Sequence, residues 1–231
     1  GIEIMGLGIE SFNDAVLAGI GKQASAEENR HALDVALRHG IRPSVNIILF
    51  TPFDTVLGLK TTLDTAISYA LQGAYINLVP LLYAGYGRPI TQQPDILEWE
   101  RLDFPGMNGP LDYPQNARIR DPELDDLRRR TFEIKSKMSG FDFASVHQSV
   151  PIDSLYWIKA FYLALAKKYP AMNVSHEIER VDEALLLYIL IQQKSIETGG
   201  FVRHDFVYRN ILPATLPHHE KVQRVSARLL E

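Results

Sequence analysis

Two apolar segments that each end in polar and turn-forming residues constrain the fold of this chain more than any other feature. The first runs into Gly-Leu-Gly-Ile-Glu-Ser at residues 6–11, and the second runs into Leu-Phe-Thr-Pro-Phe-Asp-Thr at residues 49–55. A helix is predicted between them, because Ser25 and Glu28 have the spacing of a capping box and Gly40 stands where a left-handed residue ends a helix. Strand–helix–strand units of this kind build parallel sheets, which bind ligands at the carboxyl ends of their strands.

The alternation of strand and helix continues for one more step along the chain. Residues 54–71 predict a second helix that is closed by Gly73, and residues 75–82 predict a third buried strand. The short connections predict right-handed parallel crossovers. The apolar positions expected to face inward on this helix are Leu57, Leu59, Leu63, Ala66, Ile67 and Ala70.

The character of the sequence changes near residue 85. Residues 85–120 are rich in Pro, Gly, Asp and Tyr without a lasting periodicity, which predicts either a wrapping loop or a cover over an active site. Helices are predicted over residues 121–140, 154–169, 178–196 and 220–230. We therefore divide the chain into an α/β domain, residues 1–89, and a domain of loop and helix, residues 90–231.

Composition excludes several classes of protein. A net charge of −4 gives no electrostatic footprint for nucleic acid or an anionic membrane, and no apolar run approaches the roughly 20 residues that span a bilayer. The 231 residues include no cysteine, which excludes disulfides and thiolate metal sites and fits a cytoplasmic protein. The adjacent His218 and His219 point about 100° apart on a helix, so we expect no protein metal site.

Residues 1–89 resemble the later half of the radical S-adenosylmethionine (SAM) barrel, in the branch that pairs this barrel with a cobalamin-binding domain. The segments that carry the resemblance are Gly8-Ile9-Glu10-Ser11, Asp14-Ala15-Val16-Leu17 followed by Gly21-Lys22, Asn46-Ile47-Ile48-Leu49-Phe50-Thr51-Pro52 with Thr55, and Leu78-Val79-Pro80. Their order matches the fourth, fifth and sixth strands of that barrel. The resemblance implies the later half of a partial, TIM-like (β/α)6 barrel, followed by a mostly helical region.

The same resemblance implies an enzyme whose other half lies elsewhere. Its intact parent would carry a 4Fe-4S cluster and possibly cobalamin, cleave SAM reductively, and perform radical hydrogen abstraction, rearrangement or methyl transfer. The family's Cys-x3-Cys-x2-Cys segment is missing, so this chain ligates neither group, and alone we expect it to be inactive. Since it opens at Gly1 directly into an apolar alternation, we expect the first half-barrel either upstream in the same polypeptide or on a separate subunit.

The resemblance assigns cofactor contacts to polar residues at the strand ends. Glu10 would bind the ribose or methionine part of SAM, Lys22 its carboxylate, and Asn46 a further polar group. Each has an alternative: Glu10 as a cap for the following helix, Lys22 as a solvated surface lysine, and Asn46 as a buried amide that serves a neighbouring loop.

The third strand and its exit supply the remaining candidates. Backbone near Val79 and Pro80 would contact SAM, and Asn77 interrupts the strand as Asn46 does, which makes it a candidate for the small-molecule substrate. Three further substrate-binding candidates follow the strand, with a turn of packed aromatics as their alternative: Tyr83, Tyr86 and Arg88. No catalytic residue is assigned.

Two other functions stay open from the sequence. A cysteine-free half-barrel can act as a structural or regulatory subunit that buries its exposed sheet edge against a partner. A small α/β ligand-binding protein can also use this topology, since a fold does not determine a function.

Overall fold

A computed structural model describes residues 2–84, 99–101, 115–139 and 150–199. Strands and helices alternate in the first part of the chain, as the sequence predicts. In chain order, these elements are β1 (Ile4–Glu10), α1 (Asp14–Gly19), α2 (Ala26–Arg38), β2 (Arg42–Phe50), α3 (Val56–Leu71) and β3 (Tyr75–Leu81).

The three strands form one parallel sheet in the order β1-β2-β3. The register sets Gly8 of β1 beside Asn46 of β2, and Asn46 beside Asn77 of β3. An irregularity between Gly8 and Glu10 shifts the register, so that Glu10 pairs with Ile47. The predicted α/β class with parallel strands is confirmed. The described strands form a three-stranded sheet, and the barrel to which it would belong stays a prediction.

One face of this sheet, called the covered face here, packs into the hydrophobic core. It carries Ile9, Val45, Ile47, Leu49, Ile76 and Leu78, all buried. The same core cluster includes residues of every helix from α2 to α6, for example Leu33 of α2, Leu63 of α3 and Leu155 of α5. On β2 these core residues alternate with Ser44 and Asn46, which lie on the opposite face.

The helix ends follow the predicted capping chemistry. Ser25 and Glu28 form the reciprocal capping box of α2, and Gly40 has a φ of 72°, the left-handed conformation expected after a helix. The start of α3 differs from the prediction, because Thr55 caps it by accepting from the amide of Gly58 at 3.0 Å. The prediction that Leu57 faces inward is wrong: this first-turn side chain is 67% exposed.

The second part of the chain has two kinds of structure. Three short strands form an antiparallel sheet in the order β4-β6-β5, a sheet that the sequence did not predict: β4 (Tyr83–Ala84), β5 (Trp99–Arg101) and β6 (Gln115–Ala117). Three helices follow: α4 (Pro122–Ser139), α5 (Val150–Lys168) and α6 (Ser175–Thr198). The predicted domain boundary at residues 89–90 and the predicted helix over 220–230 lie outside the described residues.

Helix α5 closes the outer edge of the sheet at β3. The hydroxyl of Ser154 accepts a hydrogen bond from the backbone amide of Leu78 at 2.8 Å, so this amide points away from β2. Pro80, two residues along, shares that outward direction, where its missing N–H removes no ladder bond.

Within the described residues, no helix is long and apolar enough to cross a membrane.

Candidate functional site

The carboxyl end of β1 is held in an unusual conformation by two helices. Glu10 has a φ of 65°, a left-handed conformation that is uncommon for residues other than glycine. The buried side chain of Asn29 in α2 donates to the carbonyls of Ile9 and Ser11, at 3.0 Å each. The Ser11 hydroxyl lies 3.1 Å from that of Thr62 in α3. Hydrogen bonds therefore hold the residues on both sides of Glu10, and these bonds maintain the strained conformation of Glu10 between them.

Glu10 and Lys22 meet beside Gly8, as the resemblance implies for a shared site. The Lys22 ammonium lies 3.6 Å from a Glu10 carboxylate oxygen and donates a hydrogen bond to the Gly8 carbonyl. A Cβ at Gly8 would lie 3.0 Å from the Glu10 oxygen and 3.2 Å from the Lys22 nitrogen. Glycine at this position leaves the space that the two charged groups share. Both side chains keep about a third or a quarter of their surface exposed, so a ligand can reach them.

A second group of polar residues lies on the sheet face opposite the covered face. We call it the open face, and it consists of Gly6, Gly8, Ser44, Asn46 and Asn77. The Asn77 amide donates to the Ser44 hydroxyl at 2.7 Å, which orients that amide. Gly6, Gly8 and Asn46 are exposed. The expectation that Asn46 is a buried amide is therefore wrong, because this part of its β2 face is uncovered, whereas Ile48 and Phe50 farther along the face are buried.

The remaining candidates near β3 are placed unequally. Val79 is half-buried and pairs with Ile48 in the register, and Pro80 is half-buried beside it. A small apolar cluster lies at this end of the sheet, formed by Ile48, Leu82, Ile20 and Phe53. Tyr83 begins β4. Tyr86 and Arg88, like His218 and His219, lie outside the described residues.

Asp54 is a titratable residue at the carboxyl end of β2 that the sequence analysis assigned only to a helix. Its buried carboxylate accepts from the Thr51 amide at 2.9 Å and from the Thr51 hydroxyl at 2.7 Å. Burial raises the pKa of Asp54 to about 7, and the two bonds from Thr51 oppose that rise. The signal in the sequence was the Thr-Pro-Phe-Asp turn itself, in which a carboxylate three residues after a strand end satisfies the turn amides.

The groups at this site are suited to bind a small polar molecule. A carboxylate accepts from hydroxyls or an ammonium, and a lysine ammonium donates to a carboxylate. The register keeps Glu10 and Asn46 close together: Glu10 pairs with Ile47, the residue after Asn46. No group of three or more His, Cys, Asp or Glu among the described residues is arranged to hold a metal ion.

Comparison with known proteins finds no relative of this chain. No protein-family model, no curated protein and no solved structure matches the chain. The interpretation of the site therefore depends on its own residues and on the motifs in the sequence.

Proposed function

We propose that this chain is the carboxyl-terminal portion of a cobalamin-type radical SAM enzyme and contributes residues that bind SAM and the substrate. The observation that carries the proposal is the meeting of Glu10 and Lys22 beside Gly8, at the carboxyl end of a parallel strand. Two residues twelve positions apart, taken from separate motifs of one family, converge on a single exposed point. The chain would then form the later half of a partial barrel in the cytoplasm.

The residues divide the work of binding in this proposal. Lys22 binds the carboxylate of SAM, and Glu10 accepts from its ribose hydroxyls or ammonium. Asn46, whose neighbour Ile47 pairs with Glu10, supplies an amide. Backbone near Val79 and Pro80 borders the cofactor. The substrate lies over the open face, against Asn77, with Tyr83, Tyr86 and Arg88 at the rim.

The cluster of the parent enzyme does not fit this chain. A 4Fe-4S cluster is held by cysteine thiolates, and the chain has none. The first half-barrel, from the same parent polypeptide or from a separate subunit, would supply those ligands. Cobalamin, which would carry the methyl group in a methyl transfer, is likewise assigned to the parent enzyme. The role of this chain is to bind and orient the ligands and to exclude water from them.

A second candidate function is that of an inactive half-barrel that serves as a structural or regulatory subunit. The observation that favours it is the same pair of residues. Lys22 is already engaged by Glu10 and by the Gly8 carbonyl, so the two charges satisfy each other without a ligand. A ligand competes with these two contacts for the three N–H donors of the Lys22 ammonium.

The test is a titration of the chain with SAM, followed by amide chemical shifts. Each hydrogen bond to a charged group contributes about 1.5–3 kcal/mol to binding. The loss of translational and rotational freedom on association costs at least about 4 kcal/mol. We therefore expect a Kd on the order of 1 mM or weaker, equivalent to about −4 kcal/mol. Shifts should concentrate at residues 8–11, and Lys22→Met should weaken binding about tenfold.

The matched control is Lys137→Met, since Lys137 is an exposed lysine of α4 that also pairs with a carboxylate, Glu133. It should leave the titration unchanged. Micromolar affinity for the chain alone would mean that the site is complete, which contradicts the half-barrel. Equal binding by the two variants, or no chemical-shift change at SAM concentrations well above about 1 mM, would favour the structural subunit.

A further inference from the structure

Among the residues that the structure describes, no strand or helix pairs with the outer edge of β1, whereas α5 closes the edge of β3. The Glu3 carbonyl accepts from the Arg42 amide at 2.8 Å, so Glu3 points its carbonyl toward β2. Backbone directions alternate along a strand, so the amides and carbonyls of Ile4 and Gly6 point away from β2. Among the described residues, neither has a hydrogen-bond partner on that side. Gly6 is exposed, and Ile4 is 48% exposed.

This edge lacks most of the devices that keep strands from pairing with other chains. Proteins usually protect a sheet edge with charges, proline or a covering element. The stretch Ile4–Ile9 contains no charge and no proline. Glu3 and Glu10 flank this stretch, and the Lys22 ammonium donates to the Gly8 carbonyl. A carbonyl oxygen has two lone pairs, so Gly8 keeps one for a further donor.

From this edge we propose that β1 pairs antiparallel with β1 of a second copy of the chain, about a two-fold axis at Gly6. This axis sets Gly6 opposite its own equivalent, and Ile4 opposite Gly8 of the second copy. Ile4, whose backbone faces the edge, then lies opposite Gly8 and beside the Glu10 and Lys22 side chains. Like charges directly opposite each other destabilise a strand pair, and this register produces none, since the regular stretch from Ile4 to Gly8 carries no charge.

The resulting dimer has one continuous sheet of six strands. The two-fold axis lies perpendicular to the sheet, so both open faces are on one side and both covered faces are on the other. The second copy also brings Ile4 next to Gly8, where Glu10 and Lys22 meet. This inference does not rest on the proposed function, and the first half-barrel would compete with the second copy for the same edge.

Sedimentation velocity at about 100 μM, a concentration at which even a micromolar dimer is populated, gives the first test. The chain should sediment as a dimer, and Ile4→Lys should convert it to a monomer. Leu57→Lys is the matched control, because Leu57 is also a large exposed apolar residue but lies on α3; it should leave the dimer intact. A monomeric chain, or a dimer that survives Ile4→Lys, would overturn the proposal.

Oxidative crosslinking gives a second test that does not depend on a disruptive variant. The chain has no cysteine, and a side chain at Gly6 would meet no atom within 4 Å. In the proposed register, the two residues at position 6 form a hydrogen-bonded pair with Cα atoms about 5.5 Å apart, a separation that a disulfide spans. Gly6→Cys should form a crosslinked dimer at least about tenfold faster than Leu57→Cys. Equal rates for the two variants would contradict the proposed register.

Discussion

The two faces of the parallel sheet use alternate residues of the same strands for opposite purposes. On β2, Val45, Ile47 and Leu49 point into the core with no exposed surface, whereas Ser44 and Asn46 between them lie on the open face. On β1, Ile9 is buried and its neighbour Gly8 is exposed. Parallel sheets are normally covered on both faces by helices. In the part of the chain that the structure describes, the polar and glycine residues of the open face include the exposed Gly6, Gly8 and Asn46.

Neighbouring residues of one strand therefore differ in their contribution: one is buried in the core, and the next lies on the open face. The covered face gains free energy from apolar burial, about 25 cal/mol for each Å² removed from water. The open face gains little from burial and instead presents amides, a hydroxyl and, at its carboxyl end, two charges. Substitutions on the two faces should differ accordingly.

The largest expected difference lies within β2 itself. Leu49→Ala should lower the free energy of unfolding by about 2–5 kcal/mol, because it removes fully buried methyl groups and leaves a cavity. Asn46→Ala, three residues away on the open face, should change it by less than about 0.5 kcal/mol. Urea denaturation of both variants measures the difference. Similar losses would show that the open face is packed in solution and that the comparison is wrong.

A smaller effect is expected at Asp54, where β2 leaves the sheet. Its pKa is raised from 3.8 to about 7 by burial, so the folded state binds a proton that the unfolded state releases. The resulting contribution to stability is present in full below about pH 4 and is lost as the pH rises through about 7. From pH 4 to 8, this carboxyl should lower the free energy of unfolding by up to about 4 kcal/mol.

Urea denaturation at several pH values, with Asp54→Asn beside the parent chain, isolates this group. The amide keeps an oxygen to accept from Thr51 and does not titrate, so the variant should lack the decrease between pH 4 and 8. Parallel pH profiles for the two proteins would show that Asp54 ionises freely in the fold.

The smallest expected effect is at Glu10 and has the opposite sign. Glu10→Gly should stabilise the fold by about 0.5–1 kcal/mol, because glycine adopts a φ of 65° without strain and the partly exposed pair with Lys22 contributes little. Glu10→Gln keeps the strain and should change stability by less than about 0.5 kcal/mol. Thermal unfolding compares them. A loss of stability in Glu10→Gly would mean that the side chain holds the turn, which would favour a structural role over ligand binding.

The regular elements were the predictable part of this fold, because their signals are local. The capping box at Ser25 and Glu28 and the apolar periods of the strands each lie within a few residues of the structure they specify. The predictions that were wrong concern side-chain exposure, which depends on residues distant in the sequence. Leu57 fits the apolar pattern of its helix but falls on a first turn that no described neighbour covers, and Asn46 is exposed because no described helix packs on its face.

For the candidate site, sequence motifs indicated Glu10 and Lys22 but not their geometry. Nothing local indicates that Asn29 of α2 and Thr62 of α3 anchor the turn around Glu10, since these contacts join residues 18 to 51 positions apart. Asp54 was missed as a buried acid because its environment comes from the packing around β2.

By itself, the sequence determined the parallel strand–helix alternation, the helix caps and the absence of any thiolate ligand, since each follows from residue identity and short-range spacing. Only the tertiary structure decided which sheet face is covered, which edge is closed, and that Glu10 and Lys22 meet beside Gly8. The physical reason is that burial and close approach depend on elements distant in sequence. The alternation of residue types along a strand shows that its two faces differ, but which elements cover each face is decided only when the helices pack on the sheet.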